Sequence, residues 1–124
     1  MDNEFAVDEK LYRAVYPPSY GDMYWKKDGT LSSAAFMDRH GLSVERGNFR
    51  QDNDVIEAMK QFFTGRIVSF TVQNCKNVDA VVKYKPTKRS QYHSEVHGRE
   101  DKILLSPSQR KRLAKVAKIE YYQD

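Results

Sequence analysis

The sequence predicts an α+β domain, in which a mainly antiparallel sheet of four or five strands packs against two principal helices. Several short segments alternate apolar and polar residues with a period of two, which is typical of half-buried strands. Two longer segments carry apolar residues at helical spacing and begin with helix-capping residues. The length of 124 residues suits one hydrophobic core better than two.

The N-terminal region is predicted to contain a leader and one strand. Residues 1–9 carry four acids and have no regular period, so we expect a flexible acidic leader followed by a single domain over residues 10–124. Residues 11–16 are rich in strand formers and stop at two consecutive prolines. This favours an edge strand.

Four further strands are indicated by alternation. Residues 42–45 form a short one, and residues 66–73, 80–85 and 91–97 alternate over longer stretches. Since the last three follow one another through short connections, we predict an antiparallel meander, with residues 74–79 as a loop.

The helices are predicted from capping residues and from apolar residues at helical spacing. Residues 32–39 combine hydroxyl caps with alanines and favour a short helix. A longer helix starts near Asp54, carries an apolar stripe that includes Phe62-Phe63, and closes at Gly65. A final helix over about 107–118 begins with a serine N-cap and a proline at its first position.

Positive charge is concentrated in the last third of the chain. Residues 83–118 contain 11 Lys/Arg and 3 Asp/Glu, whereas residues 1–82 contain 10 and 12. Such grouping is typical of proteins that bind a polyanion, because each cation near a phosphate contributes salt-dependent affinity. The alternative is a solvated surface, since short basic stretches also occur on helices and turns that bind nothing anionic.

Composition excludes several protein classes. Eight Tyr, six Phe and one Trp argue against a disordered chain. Cys75 is the single cysteine, and the first residues lack the basic and apolar regions of a signal peptide. No apolar run approaches the roughly 20 residues of a membrane span. Six scattered glycines form no dinucleotide or phosphate-loop motif. We therefore expect a cytoplasmic protein without membrane contact or nucleotide cofactor.

Residues 91–98 hold the most informative polar pattern. Strict alternation places His93, Glu95 and His97 on one face of a strand. Imidazole and carboxylate groups bind zinc or iron, but no further ligand is evident nearby, so we predict no metal site. An acid–base pair explains the pattern, and so does the solvated side of an antiparallel sheet.

As a catalytic site, this strand requires a cation to hold the negative charge that develops on a substrate. His93 would then be the general acid or base, Glu95 its orienting carboxylate and Arg13 the anion clamp, which fits phosphate or phosphodiester chemistry best. Arg13 also has a structural alternative, an ion pair with Glu45 across the sheet. No nucleophile stands out from the sequence.

Three functions follow from these observations. The preferred one is a small module that contacts nucleic acid or another polyanion through residues 83–118. Tyr84 and Tyr92 are candidates for stacking on unpaired bases, with burial in the core as the equal alternative. The second is a small phosphate-directed enzyme that uses His93. The third is a protein-interaction component of a bacterial operon, formed around Tyr24 and Trp25. The predicted polyanion-binding residues are Lys83, Lys85, Lys88, Arg89, Arg99, Arg110, Lys111, Arg112, Lys115 and Lys118.

The order of several motifs resembles short uncharacterised bacterial proteins. The motifs are Leu-Tyr-Arg at 11–13, Trp25 before Asp28-Gly29, Ser-Ser-Ala-Ala-Phe at 32–36, Gly-Leu-Ser-Val at 41–44, and His-Ser-Glu-Val at 93–96 followed by Gly98. Together they span most of the chain. The resemblance implies a bacterial or phage-related cytosolic setting and no particular activity. An arginine on the first strand followed by serines is also similar to compact ADP-ribosyl transferases, whose glutamate and tyrosine pattern is not recognisable here.

Overall fold

The computed structural model describes residues 4–124, which are built around a six-stranded antiparallel sheet. The strands are β1 (Lys10–Val15), β2 (Leu42–Arg46), β3 (Arg66–Thr71), β4 (Val81–Tyr84), β5 (His93–His97) and β6 (Lys118–Tyr121). Their order across the sheet is β4-β5-β2-β1-β3-β6. The predicted α+β class and antiparallel sheet are confirmed, with six strands among the described residues in place of four or five.

Three α-helices and two 3₁₀ turns complete the part of the chain that the structure describes. They are α1 (Asp52–Lys60), α2 (Val72–Asn77) and α3 (Pro107–Val116), with 3₁₀ turns at Pro18–Tyr20 and Ser33–Phe36. The predicted short helix over 32–39 is thus a single 3₁₀ turn. Within residues 4–124, no helix has the length and apolar character needed to cross a membrane.

The helix ends follow local chemistry. Ser106 and Gln109 cap α3 reciprocally through side chain and backbone, as the sequence predicted from a serine before a proline. By contrast, α1 begins two residues before the predicted Asp54, after Gln51, which makes no side-chain cap. Its end at Lys60 leaves Phe62 and Phe63 beyond the helix.

Hydrophobic layers lie on both faces of the sheet. On one face, which we call the α3 face, Leu11 and Phe70 belong to the core that includes Leu113 of α3. On the opposite face, the α1 face, Tyr12 packs with Val55 of α1. Consecutive strand residues therefore serve different layers, as the pleat requires.

Strand β1 is central, which corrects the predicted edge position. Tyr12 pairs with Glu45 of β2 on one side and with Ser69 of β3 on the other. The predicted meander is also wrong at β3, because β3 lies between β1 and β6 while β4 pairs with β5. The physical reason is α2, which Thr71 and Asn74 start with a capping box, so that the helix occupies the end of the predicted strand 66–73 and part of the predicted loop 74–79. This helix separates β3 from β4.

Within the described part of the predicted leader, residues 4 and 6–8 are exposed and the last residue, Glu9, is packed. Glu9 is only 1% exposed, and its carboxylate contacts the buried Arg46 guanidinium at 2.7 Å. The backbone of the same residue accepts a hydrogen bond from Val72. The Glu9 side chain is thus part of a buried ion pair and is not exposed to solvent. A count of charged residues cannot tell these two environments apart. Residues 1–3 of the predicted leader lie outside the described residues.

Candidate functional site

A cleft of about 710 Å³ lies on the α1 face. The end of α1 and Phe62-Phe63 form one wall, and the turn over residues 87–91 forms the other. Strands β1, β2 and β5 supply the floor. The cleft exists because α1 packs over β1, β3 and β6, which leaves the polar side chains of β2 and β5 uncovered. We refer to it as the α1 cleft.

His93 and Ser43 meet on the floor of the α1 cleft. His93 Nε2 lies 3.2 Å from Ser43 Oγ, and His93 Nδ1 lies 2.8 Å from the carbonyl oxygen of Lys85. Since a carbonyl only accepts hydrogen bonds, Nδ1 donates its proton to Lys85. Nε2 is then the ring nitrogen that faces the Ser43 hydroxyl. Ser43 is exposed and His93 is partly buried.

Arg13 contacts this pair through the backbone carbonyl of Ser43. Its Nη1 donates to the carbonyl of Ser43 at 2.9 Å, and its Nε donates to the carbonyl of Ala35 at 2.8 Å. Burial lowers the pKa of the guanidinium. Residues 4–124 contain no ion pair between Arg13 and Glu45, so that alternative is wrong.

Glu45 instead connects the floor to the turn that forms the second wall. Its Oε2 accepts a hydrogen bond from Arg50 at 3.0 Å, and its Oε1 accepts one from Ser90 at 2.8 Å. The Arg50 guanidinium also stacks on the Tyr92 ring, 3.4 Å from its centroid. These contacts hold the turn in place and leave its Lys88 and Arg89 side chains exposed.

The walls combine aromatic rings with cations. Phe62 and Phe63 are 55% and 42% exposed, which is high for large apolar side chains. The Arg89 guanidinium lies 5.7 Å from each of the two ring centroids. The sequence predicted these rings as part of the α1 stripe, but they follow the helix end and line the cleft.

Glu95 is paired with His97 and does not orient His93. Its Oε1 lies 2.8 Å from His97 Nε2, and His97 is only 6% exposed. Gly41 covers this pair with a φ of +103°, and a Cβ added there would lie 2.5 Å from Glu95 Oε1. The predicted orienting role of Glu95 therefore falls to the Lys85 carbonyl. Among residues 4–124, no three His, Cys, Asp or Glu side chains converge as a metal ion would require.

The predicted cations of residues 83–102 have separate environments. Lys88 and Arg89 line the α1 cleft, as His93 does. Lys83 contacts Glu100 at 3.1 Å, and Arg99 contacts Asp101 at 3.4 Å. Thus the structure places two of these cations in the lining of the same cleft as the histidine and pairs two others with acids.

The cations of the last helix lie on the α3 face, across the sheet from the α1 cleft. Arg110 and Arg112 each donate to a backbone carbonyl. A second concave surface of about 660 Å³, which we call the lysine groove, contains four lysines and no acidic side chain from the described residues. These lysines are Lys26, Lys111, Lys115 and Lys118.

The predicted stacking and interaction residues are only partly accessible. Tyr92 lines the α1 cleft, whereas Tyr84 lies on the α3 face with its ring 5.3 Å from the Arg46 guanidinium. Trp25 is 3% exposed and its Nε1 donates to the carbonyl of Tyr16. A binding surface around Trp25 would therefore be formed by its neighbours.

No protein-family model, curated protein or solved structure matches this chain. Its functional interpretation rests on the geometry of the α1 cleft. Sequence reasoning missed Ser43, Phe62 and Phe63 as site residues. Alternation in β2 did place Ser43 on a polar face, and that was the available signal.

Proposed function

We propose that this protein binds single-stranded nucleic acid, and that the α1 cleft receives a phosphate together with an unpaired base. The observation that carries the proposal is the position of Arg89 beside two exposed phenylalanine rings. Such a combination of cation and aromatic surface is how proteins hold unpaired nucleotides.

The charge of the cleft favours a phosphate. Four basic residues line it, namely Arg13, Arg50, Lys88 and Arg89, of which Arg13 directs its guanidinium to Ala35 on the α3 face. Among the described residues, Glu45 is the one acid of that lining, and Arg50 already neutralises it. Lys88 and Arg89 project from the turn without a salt bridge to any described acid. They are thus positioned to contact the backbone of a nucleic acid.

The aromatic side of the cleft favours an unpaired base. Phe62 and Phe63 expose their rings to the cleft that the Tyr92 ring also lines. A base that stacks on a protein ring contributes about 1–3 kcal/mol to binding, with little dependence on sequence. In a duplex the bases are already stacked on one another, so these rings select single strands.

Fluorescence anisotropy with a labelled single-stranded oligonucleotide tests the proposal. Arg89→Ala should reduce the slope of log K against log salt by about 0.7, the share of one phosphate contact. Phe62→Ala should weaken binding about 5-fold or more at every salt concentration, since stacking is not an ionic contact.

The matched control is the double variant Lys111→Ala/Lys115→Ala in the lysine groove. It removes two cations on the α3 face and should leave the affinity within about 2-fold. If this variant abolishes binding while the cleft variants do not, the nucleic acid binds the groove and the proposed cleft is wrong. Affinity that stays constant from about 50 to 200 mM salt would exclude phosphate contact altogether.

A further inference from the structure

We infer that Ser43 is a nucleophile and His93 its general base, so that the α1 cleft cleaves phosphodiesters by way of a covalent serine intermediate. The inference deepens the proposed function, on which it rests for the choice of phosphorus as the reacting centre. The serine–histidine pair itself is observed independently of any ligand.

Three features of the pair match what an activated serine requires. Ser43 Oγ is accessible, and it lies 3.2 Å from an imidazole nitrogen whose lone pair faces it. The opposite nitrogen of His93 is fixed by the Lys85 carbonyl at 2.8 Å. This carbonyl takes the place that a carboxylate has in a catalytic triad, because it holds the same tautomer and ring orientation.

The position of this pair follows from the register of the sheet. Ser43 pairs with Glu95 and Glu45 with His93, so Ser43 and His93 are diagonal neighbours on one face although they are 50 residues apart in sequence. The pair forms the floor of a cleft whose turn carries Lys88 and Arg89. A substrate phosphate held by that turn lies in the same cavity as the serine hydroxyl.

The reaction is a displacement at phosphorus in two steps. Ser43 Oγ attacks the phosphorus atom and a new O–P bond forms, while the serine proton passes to His93 Nε2. The bond from phosphorus to the leaving oxygen breaks on the side opposite to Ser43, and the leaving alkoxide takes a proton from solvent water. Water then attacks the phosphoserine diester from that vacated side and releases one proton to solvent, while the protonated His93 returns its proton to Ser43 Oγ, and a phosphomonoester is released.

Arg13 positions the backbone of Ser43 from the opposite face of the sheet. Along β1 it shares the α3 face with Leu11, and its Nε donates to the carbonyl of Ala35 in that core. Its Nη1 donates to the carbonyl of Ser43 at 2.9 Å. Arg13 is therefore a positioning residue, and the exposed Lys88 and Arg89 are the cations of the cleft that suit the charge of the transition state.

A fluorophosphonate probe tests the nucleophile directly, because serine attack on its phosphorus expels fluoride. Mass spectrometry of the labelled protein should locate the adduct on Ser43. Ser43→Ala should abolish labelling, and His93→Asn should slow it by about 100-fold or more. Ser108→Ala is the matched control, since Ser108 is an exposed serine on α3 and its loss should leave labelling unchanged. Labelling of another serine, or labelling that persists in Ser43→Ala, overturns the inference.

Turnover decides the substrate class. The wild-type protein should hydrolyse bis(p-nitrophenyl) phosphate and leave p-nitrophenyl acetate at the background rate. Hydrolysis of the acetate ester alone would overturn the phosphodiester assignment. Ser43→Ala should still bind the labelled oligonucleotide with its affinity unchanged within about 2-fold, because it keeps the cations and rings of the cleft. Oligonucleotide binding without labelling of Ser43 would overturn this inference and leave the proposed function intact, whereas labelling without oligonucleotide binding would overturn the proposed function alone.

Discussion

The buried ion pair between Glu9 and Arg46 should dominate the stability of the N-terminal region. Both side chains are nearly inaccessible, at 1% and 2% exposure. The Glu9 carboxylate accepts hydrogen bonds from Arg46 Nε at 2.7 Å, Arg46 Nη2 at 2.8 Å and the Asn48 backbone at 3.1 Å. Glu9→Ala removes both acceptor oxygens, and with them the three hydrogen bonds and the buried charge that balances the Arg46 guanidinium. We expect a loss of about 3–5 kcal/mol in the free energy of unfolding.

Equilibrium unfolding in urea measures this loss. A domain of this size has a total stability of about 5–15 kcal/mol, so the variant should remain folded but close to its limit. With a slope of about 2 kcal/mol per molar urea, the midpoint should fall by about 2 M. Asp8→Ala removes an exposed neighbouring acid and should change stability by less than about 0.5 kcal/mol.

A double variant separates the charge from the packing. Glu9→Leu/Arg46→Met replaces both charges by apolar groups, so it should lose less stability than Glu9→Ala alone. If Glu9→Ala costs less than about 1 kcal/mol, the reasoning fails, because a carboxylate with three hydrogen bonds in the interior cannot be removed so cheaply.

Further variants and reagents test other parts of the fold. Gly41→Ala should destabilise the protein by about 1–3 kcal/mol in thermal unfolding, since a positive φ and a steric clash add there. Gly29→Ala shares a positive φ but meets nothing within 4 Å, so a larger cost at Gly29 would contradict the steric argument. Burial raises the pKa of the Cys75 thiol to about 12, and we expect a thiol-specific reagent at about pH 8 to react with Cys75 only after unfolding, whereas rapid reaction of the native protein would refute its burial. The Tyr12 hydroxyl donates to Asp52 and, with Lys10 nearby, lowers the pKa of that carboxyl. The ionised Asp52 carboxylate therefore stabilises the fold above about pH 4, and this stabilisation is lost as pH falls through the lowered pKa. The urea midpoints of wild type and Asp52→Asn should differ at about pH 7 and converge at about pH 2. A constant difference over that range would show that Asp52 acts without its charge.

Local patterns predicted the elements of this fold better than their arrangement. The serine–proline start of α3 and the alternation of β5 depend on neighbouring residues and are confirmed. Alternation assigns a side chain to a face of the sheet but does not name the strand beside it. For this reason β1 was expected at the edge and β3 next to β4. The helix α2 was missed because it has only six residues, of which just Val72 and Cys75 are buried, and the alternation of β3 runs into it.

The candidate site was also predicted only in part, because alternation does not show which strands are neighbours. His93 and Arg13 were identified from residue type and strand position, and both line the α1 cleft. The partner of His93 was predicted to be Glu95, two residues along the same strand. It is Ser43 on the neighbouring strand, and that pairing depends on register across 50 residues. Phe62 and Phe63 became site residues because α1 ends earlier than its apolar pattern suggests.

The central position of β1 has a consequence for the folding kinetics. Its partners β2 and β3 follow it at distances of about 30 and 55 residues, and β2 must find β5 across about 50 more. Closing such long loops costs chain entropy before the strand contacts form that offset this cost. Topologies of this kind therefore fold slowly, in milliseconds to seconds. The Ser43–His93 contact requires β2 and β5 to be in register. A chain that has collapsed without this register would contain every element described above and still lack the cleft.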